Sequence, residues 1–383
     1  MHVHQVNLRR SVGGGEVYTR WLTRAMVDAG AKVTLYVEPS NRFWDDLPSA
    51  QIDVIPVSGP HGLAEHLPAR GAVLMTQSRL PEDLIEVAAK YHVLTGFAHL
   101  PMFGRSAAEF VRYSTVFTVS HYCIGLLRQS GISQVYPEPI YGTYDLDRET
   151  TPLLDNSPYH WDRRKGRDRI LSMMEPIVRS VRGQRLFSRR EGLTLGIVSL
   201  LSPIKQFPLL FSLIAPKLAR LSGINLEIFG NGGYAQVRDI RKALSPMIDR
   251  VRFWGYQQAV GAVYAELDYL MTGLPEKEAL GLNVLEAQGT GTPVLAPRAP
   301  PFTETIVHGE GGFLYRDPRE DSGIEFGDLI QSIRTGRPRP DPRSASGHLE
   351  KFSYTAMVER ARRILGHLRL AQASYLKQSD GRA

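Results

Sequence analysis

The fold of this chain is decided by residues 275–287, which read PEKEALGLNVLEA. Two carboxylates, Glu278 and Glu286, stand eight positions apart with a glycine, Gly281, between them. A helix that begins near Gly281 would place Glu278 in the preceding loop and Glu286 on its second turn. The first N–H groups of such a helix have no partner inside it, and the helix dipole adds to their attraction for anions. These groups belong to Gly281, Leu282 and Asn283.

The stretch therefore predicts an anion site suited to a diphosphate, with Glu286 available to accept hydrogen bonds from vicinal hydroxyls such as those of a ribose. A plainer interpretation makes Glu278 a loop charge and Glu286 a solvated helix residue. The flanking sequence favours the first interpretation. Downstream lie LEAQGTGTPVLA at 285–296, ETIV at 304–307 and GGFL at 311–314, and upstream lie FGNG at 229–232 and VRFWG at 251–255.

This ordered series, over residues 193–318, resembles the motifs of retaining glycosyltransferases with the GT-B fold, of the family 4 type. The resemblance implies an α/β protein with two Rossmann-like α/β/α domains that face each other across a cleft. It implies sugar transfer from a nucleotide diphosphate, such as UDP or GDP, with retention of configuration. The acceptor would be a glycan, a glycolipid or a small molecule, as in bacterial cell-surface polysaccharide or lipopolysaccharide biosynthesis. No metal or other cofactor is expected.

The rest of the chain agrees with a two-domain α/β organisation. Short apolar runs alternate with helical patterns in the first half, which indicates βαβ units and a mostly parallel sheet. The alternation stops near Thr150 and starts again at Leu193. We predict an N-terminal acceptor domain over 1–150, a basic linker over 151–191 and a nucleotide-sugar domain over 192–350. A last helix, near 354–376, is expected to pack back on the first domain.

The resemblance also implies roles for individual residues. Glu278 would orient the donor sugar, Lys205 would neutralise the departing diphosphate, and His99 would contact the sugar from the first domain. Donor binding would further involve Gly14, Gly15, Gly230, Gly281, Leu282, Asn283 and Glu286. Acceptor binding would involve Glu16 and Ser120, although a serine that opens a helix is explained equally well as its cap.

One departure from the family pattern concerns the phosphate cations. Where the family has Gly-Arg, this chain has Ser199 and Leu200, and Gln206 replaces the glycine that follows the lysine. Either another basic residue substitutes, or donor binding is weaker or different, or activity is lost. The resemblance also implies that Arg298, together with Lys205, would stabilise the leaving diphosphate. A catalytically impaired relative that serves as a binding or assembly partner is therefore an alternative. A nucleotide-sugar epimerase or hydrolase on the same fold is another.

Composition sets the cellular context. The 383 residues include 46 Lys and Arg against 39 Asp and Glu, a net charge of +7, and a single cysteine, Cys123. One thiol forms no intramolecular disulfide, which fits a reducing compartment. We expect no secretion signal, because residues 1–7 alternate like a strand and lack the apolar stretch of a signal peptide. We also expect no membrane-spanning helix, because no apolar run reaches ~18 residues. The sequence predicts a cytoplasmic protein, with peripheral contact at the inner face of the cell membrane as a further possibility.

Much of the positive charge lies in residues 163–190. Arg179, Arg182, Arg185 and Arg189 recur every third or fourth position beside apolar residues. On a helix they would form a cationic face that could rest on anionic lipid, or simply a solvated face. The segment lacks the interleaved aromatic side chains that stack on bases, so nucleic acid is not expected as a partner.

Overall fold

Two parallel sheets form where the apolar runs predicted strands. The computed structural model describes residues 1–102, 106–146, 151–162, 165–183, 185–344 and 346–380, without the side chains of 177–182, 346, 379 and 380. The chain divides into unit 1, which is Met1–Thr143 with Glu350–Ala383, and unit 2, which is Tyr144–Leu349. Each unit holds a six-stranded sheet. The predicted α/β class and the pair of Rossmann-like sheets are confirmed.

Unit 1 begins with strands and helices that alternate along the chain. Its strands are β1 His2–Asn7, β2 Lys32–Val37, β3 Ile52–Pro56, β4 Val73–Thr76, β5 Val93–Ala98 and β6 Thr115–Thr118. Its first helices are α1 Gly14–Asp28, α2 Glu82–Tyr91 and α3 His121–Gln129. The strands lie in the order β3-β2-β1-β4-β5-β6, and every pairing is parallel.

Unit 2 repeats this topology. Its strands are β7 Leu193–Val198, β8 Ile224–Phe229, β9 Val251–Gly255, β10 Tyr269–Met271, β11 Val294–Pro297 and β12 Gly312–Tyr315. Its helices are α4 Gly166–Arg182, α5 Phe207–Ala219, α6 Tyr234–Ala243, α7 Val260–Ala265, α8 Leu282–Gly289, α9 Phe302–Thr305, α10 Pro318–Asp321, α11 Ile324–Arg334 and α12 Ser346–Leu349. The strand order is β12-β11-β10-β7-β8-β9. Counted from the first strand of each unit, both sheets have the doubly wound order 3-2-1-4-5-6.

The chain returns to unit 1 for its last helix, α13 Tyr354–Asp380. One side of α13 is apolar and fully buried against unit 1, because its apolar residues recur every three or four positions. The buried residues are Met357, Ala361, Ile364, Leu365 and Leu368. The helix runs a few residues further than the 354–376 predicted.

The basic segment differs from its prediction. It lies within unit 2, and its helix α4 ends at Gly183, whose φ of 71° is left-handed. Arg185 and Arg189 follow the helix and pair with Asp155 and Asp268. A cationic helix face that continues to Arg189 is therefore wrong. Arg163, Arg164 and the side chains of Arg179 and Arg182 lie outside the described residues.

Candidate active site

The topology of unit 2 selects one place for a ligand. β7 and β10 are neighbours in the sheet, but the chain leaves them toward opposite sides. In doubly wound sheets the loops at this switch point separate and leave a crevice at the carboxyl ends of the strands. The loop after β7 carries Lys205, and the loop after β10 carries Glu278. Two residues that the sequence assigned to catalysis thus lie on the two loops of the switch point.

Lys205 and Glu278 are in direct contact. The Lys205 Nζ donates to the Glu278 Oε2, and the two side chains remain 22% and 16% exposed. The backbone supports this pair, because the Lys205 carbonyl accepts the N–H of Leu274 at 3.2 Å. Gly273 permits the approach, since a Cβ at this position would lie 2.3 Å from the Lys205 carbonyl oxygen. The crevice therefore presents an ammonium and a carboxylate side by side.

Helix α8 opens at the same edge of the sheet. It runs from Leu282 to Gly289, so it begins where the sequence predicted, and its N-cap Gly281 has a φ of 82° that favours glycine. The Asn283 side chain donates to the Val198 carbonyl at 3.1 Å, which ties the first turn of α8 to the end of β7. The early N–H groups of α8 therefore lie beside the loop of Lys205 and give the crevice a positive electrostatic lining.

Glu286 lies on the second turn of α8, where the sequence placed it. Burial raises the pKa of its carboxyl group, and a hydrogen bond from Tyr264 opposes that shift. The Tyr264 Oη donates to the Glu286 Oε2 at 2.7 Å. Sequence reasoning missed Tyr264, because it lies on α7, 22 residues from its partner, without a local motif.

Gly230 ends β8 against the loop that follows β7. Its φ is 130°, and a Cβ here would lie 1.9 Å from the Ser199 carbonyl oxygen. The glycine therefore lets the two loops touch at the carboxyl edge of the sheet. Leu200, which stands where the family has arginine, is 47% exposed in the same β7 loop.

The guanidinium group of Arg319 lies near the loop that follows β7, and the sequence did not single it out. It makes a bidentate contact with Asp317 and donates to the Glu276 Oε2 at 2.9 Å. Gln206 also reaches Glu276, at 3.4 Å. Arg319 thus joins α10 to the loop before α8. Arg298, a predicted diphosphate contact, donates to Glu325 at 3.1 Å and to the Leu314 carbonyl at 3.0 Å.

Unit 1 has its own switch point, between β1 and β4. His99 follows β5, and its Nε2 lies 2.7 Å from the Oε1 of Gln77, which follows β4. The rings of Phe97 and Tyr18 lie 5.2 Å from the His99 ring, one stacked and one edge-on. Gln77 is buried and was not identified from the sequence. The contact fixes the orientation of the imidazole.

The glycine loop of unit 1 leads into α1. Gly14 and Gly15 form its first turn, and a Cβ at Gly15 would meet no atom within 4 Å. Glu16 turns inward, since its Oε2 accepts the N–H of Gly13 at 2.9 Å and burial raises its pKa. Ser120 is fully buried and caps α3 by accepting the N–H of Cys123 at 3.1 Å. In the structure both polar residues serve to begin helices.

Within the described ranges, no three His, Cys, Asp or Glu side chains gather as a metal-binding group. Among the helices described, none combines the length and apolar character needed to cross a bilayer.

Comparisons with known proteins address this geometry. Residues 192–329 match the family model described as Glycosyl transferases group 1. Anabaena HepE in complex with UDP and glucose is similar in structure, with a TM-score of 0.67 and 16% identity over 96% of this chain and 100% of that one. Sucrose-phosphate synthase from Thermosynechococcus elongatus is also similar in structure, with a TM-score of 0.71 and 15% identity over 97% of this chain and 100% of that one. The chain therefore has the GT-B fold, and its resemblance to GT-B glycosyltransferases is supported.

One curated relative matches over a short stretch. The N-acetyl-alpha-D-glucosaminyl L-malate synthase of Bacillus anthracis is 44% identical over 66 residues, which is 17% of each protein. The aligned stretch is too short to carry the activity of that enzyme to this chain.

Proposed function

We propose that the protein is a retaining, metal-independent glycosyltransferase of the family 4 type. It moves a sugar from a UDP- or GDP-sugar to a glycan, a glycolipid or a small-molecule acceptor in cell-surface polysaccharide or lipopolysaccharide biosynthesis. The observation that carries the proposal is the Lys205–Glu278 pair at the switch point of unit 2, beside the N-terminus of α8. The match of residues 192–329 and a neighbour bound to UDP and glucose support it.

The chemistry follows from the charges at the crevice. The donor diphosphate lies against the amides of Gly281, Leu282 and Asn283, and Lys205 turns from Glu278 toward the phosphates. Glu278 then accepts hydrogen bonds from the sugar hydroxyls. The bond from the anomeric carbon to the diphosphate oxygen breaks, and its electron pair leaves with the phosphate. An acceptor hydroxyl bonds to the same face of that carbon and gives its proton to the phosphate. Electrostatic stabilisation of the leaving group is the main catalytic contribution.

The roles in unit 1 stay predictions. His99 is proposed to contact the donor sugar, and Gln77 keeps its imidazole in place. Gly14 and Gly15 leave room for the donor. Glu16 and Ser120 are proposed near the acceptor, where their helix-opening bonds would shape the loops that contact it.

The test is sugar transfer by the full chain with purified UDP- and GDP-sugars. Lys205→Ala and Glu278→Ala should each abolish most transfer, because each removes a charge that acts on the transition state. Lys242→Ala and Glu310→Ala make the same changes at exposed positions of unit 2 and should retain wild-type rates. Full activity of a Lys205 or Glu278 variant would refute the role of that residue.

Wild-type controls separate the alternatives. Turnover of the nucleotide-sugar without acceptor would indicate a hydrolase or epimerase instead. Specific thermal stabilisation by a nucleotide diphosphate without any turnover would indicate an impaired relative with a binding role.

Peripheral docking on an anionic membrane surface is part of the proposal, and α4 is the segment that supports it. One side of α4 is anchored to unit 2: Asp168 is buried, and Glu175 accepts the indole N–H of Trp161. The opposite side exposes Ile170, Met173 and Met174, at 59%, 67% and 53%. These residues recur at i, i+3 and i+4 and so form one apolar stripe.

Cationic side chains flank this stripe. Arg167 and Arg169 lie on either side of it, and Lys165 precedes the helix; all three are exposed. An apolar stripe between cations is typical of a helix that lies in the interface of an anionic bilayer. A lipid-linked acceptor would be presented at such a surface.

Vesicle sedimentation tests the docking. The full chain should sediment with phosphatidylglycerol-rich vesicles at low salt, and less at high salt because the charges are screened. Ile170→Ser combined with Met173→Ser should abolish sedimentation, whereas Leu370→Ser, which removes a side chain that is 73% exposed on α13, should not. Failure of the wild type to bind at low salt would refute the docking. A dimeric wild type together with a monomeric double variant would instead assign the stripe to self-association.

A further inference from the structure

Tyr264 is a fully buried residue of α7 whose hydroxyl group forms a hydrogen bond with Glu286. Its Oη donates to the Glu286 Oε2 at 2.7 Å, and its ring packs among Val284 and Ala287 of α8. Its own carbonyl accepts the Thr292 hydroxyl at 2.8 Å. The tyrosine is therefore held at both its backbone and its ring, so it can fix the carboxylate it touches.

Other buried tyrosines of unit 2 show that this bond is not a general feature of the core. The Oη atoms of Tyr269 and Tyr315 are buried, and no hydrogen-bond partner for either is found among the described residues. The sheet accepts tyrosine rings without satisfying their hydroxyls. The Tyr264 hydroxyl, in contrast, meets a carboxylate of the site.

The protonation states of Tyr264 and Glu286 favour a hydrogen bond in which Tyr264 is the donor. Burial raises the pKa of Tyr264 well above its ordinary value, so the phenol keeps its proton and acts as the donor. Burial also raises the pKa of Glu286, and the bond from Tyr264 favours its ionised form. The Oε1 of Glu286 receives no hydrogen bond from any residue that the structure describes. One carboxylate oxygen is thus held, and the other is available.

We propose that Tyr264 is a positioning residue that fixes Glu286 so that its Oε1 selects ribonucleotide donors over 2′-deoxyribonucleotide donors. This inference rests on the proposed function, in which Glu286 faces the ribose. A carboxylate held in one orientation accepts a hydroxyl in good geometry and is left incompletely paired when the hydroxyl is missing. Loss of a hydrogen bond to a buried charged group weakens binding by roughly ten- to a hundredfold.

The test is calorimetric binding of UDP, GDP and their 2′-deoxy forms to the full chain. The wild type should prefer the ribonucleotide by at least about tenfold. Tyr264→Phe should lose most of this preference, mainly through weaker binding of the ribonucleotide. Tyr269→Phe removes a buried hydroxyl that has no partner and should keep the preference. In a Glu286→Ala background, Tyr264→Phe should have no further effect.

The outcomes separate the two proposals. Wild-type protein that binds neither UDP nor GDP would overturn the proposed function itself. Wild-type protein that binds a nucleotide without preferring ribose would overturn the inference alone. The inference would also fall if Tyr264→Phe kept the preference, or weakened the ribo and deoxy forms equally, since the latter is the result of a merely structural role.

Discussion

At the scale of single residues, backbone space controls the candidate chemistry as much as charge does. Lys205 reaches Glu278 because the loop after β10 passes directly over the Lys205 carbonyl. Only Gly273 allows that passage, since any side chain would overlap the carbonyl oxygen. Gly273, which has no side chain, thus determines where the ammonium group of Lys205 lies.

Gly273→Ala should therefore reduce transfer at least about tenfold while the enzyme stays folded, because backbone relief would displace Lys205. Steady-state kinetics with a nucleotide-sugar would measure this, and the free energy of unfolding should fall by about 1–3 kcal/mol. Gly366→Ala is the control, because a Cβ there meets nothing within 4 Å and alanine favours the helix. Equal activity of Gly273→Ala and wild type would show that the close approach is dispensable.

A second prediction at this scale concerns a buried hydroxyl. The Tyr315 Oη finds no partner in the described core, so Tyr315→Phe removes a polar group that is desolvated without compensation. The variant should be as stable as wild type or more stable, by up to about 1 kcal/mol. Urea denaturation would measure the change. Tyr264→Phe makes the same chemical change at a bonded hydroxyl and should be destabilising, so the opposite ranking would contradict this account.

At the scale of elements, β1 and β2 create a sensitivity to acid. His4 of β1 is buried, and its Nδ1 lies 3.0 Å from the Tyr36 Oη of β2. Burial first, and then the nearby His2 and His92, lower the pKa of His4 to about 4. The folded protein therefore keeps His4 neutral, whereas the unfolded chain protonates it below about 6.5.

The stability of unit 1 should consequently fall as the pH drops from about 6.5 to 4, by roughly 3 kcal/mol from His4. Above pH 6.5 both states hold a neutral imidazole, so this contribution does not change. Chemical denaturation across pH would show the slope. His4→Asn should flatten much of it, leaving the smaller contributions of His2, His92 and His367, whose pKa values burial also lowers. An unchanged slope in His4→Asn would assign the acid sensitivity elsewhere.

Elements differ in how well the sequence predicts them. Short apolar runs, from residues 3–7 to residues 293–296, predict each strand of the described residues except β12, because buried parallel strands are nearly continuous in apolar residues. The sequence did not predict β12, since its four residues start with Gly312 and the strand depends on pairing with β11. The arginine spacing predicted a helix beyond Gly183, but α4 ends at this glycine, whose φ is positive. The glycine itself was the sequence signal for the end of the helix. The motif series located α8, Glu286 on it and Glu278 in the loop before it, whereas Gln77, Tyr264 and Arg319 needed the tertiary structure.

At the scale of the whole molecule, unit 1 depends on the end of the chain. The apolar side of α13 is completed by Leu365, which is 1% exposed. Leu365→Ala should destabilise unit 1 by about 2–5 kcal/mol through lost burial and a cavity. Hydrogen exchange with mass spectrometry should show faster exchange in β1–β6 and little change in β7–β12. Arg369→Ala, at an exposed position of the same helix, should match wild type, and uniform acceleration in both units would contradict the assignment.

The discontinuity of unit 1 also has a consequence during synthesis. Ribosomes add about 5–20 residues per second, and domains generally fold as units when their sequence is available. All of unit 2 is made before Glu350, whereas unit 1 still lacks α13 at that moment. The synthesis of unit 1 thus starts before that of unit 2 but ends after it, and the apolar surface that α13 covers stays exposed to solvent in the meantime. A stop codon near residue 353 would release a chain with a complete unit 2 and a permanently unfinished unit 1, which is a natural substrate for chaperones and proteases.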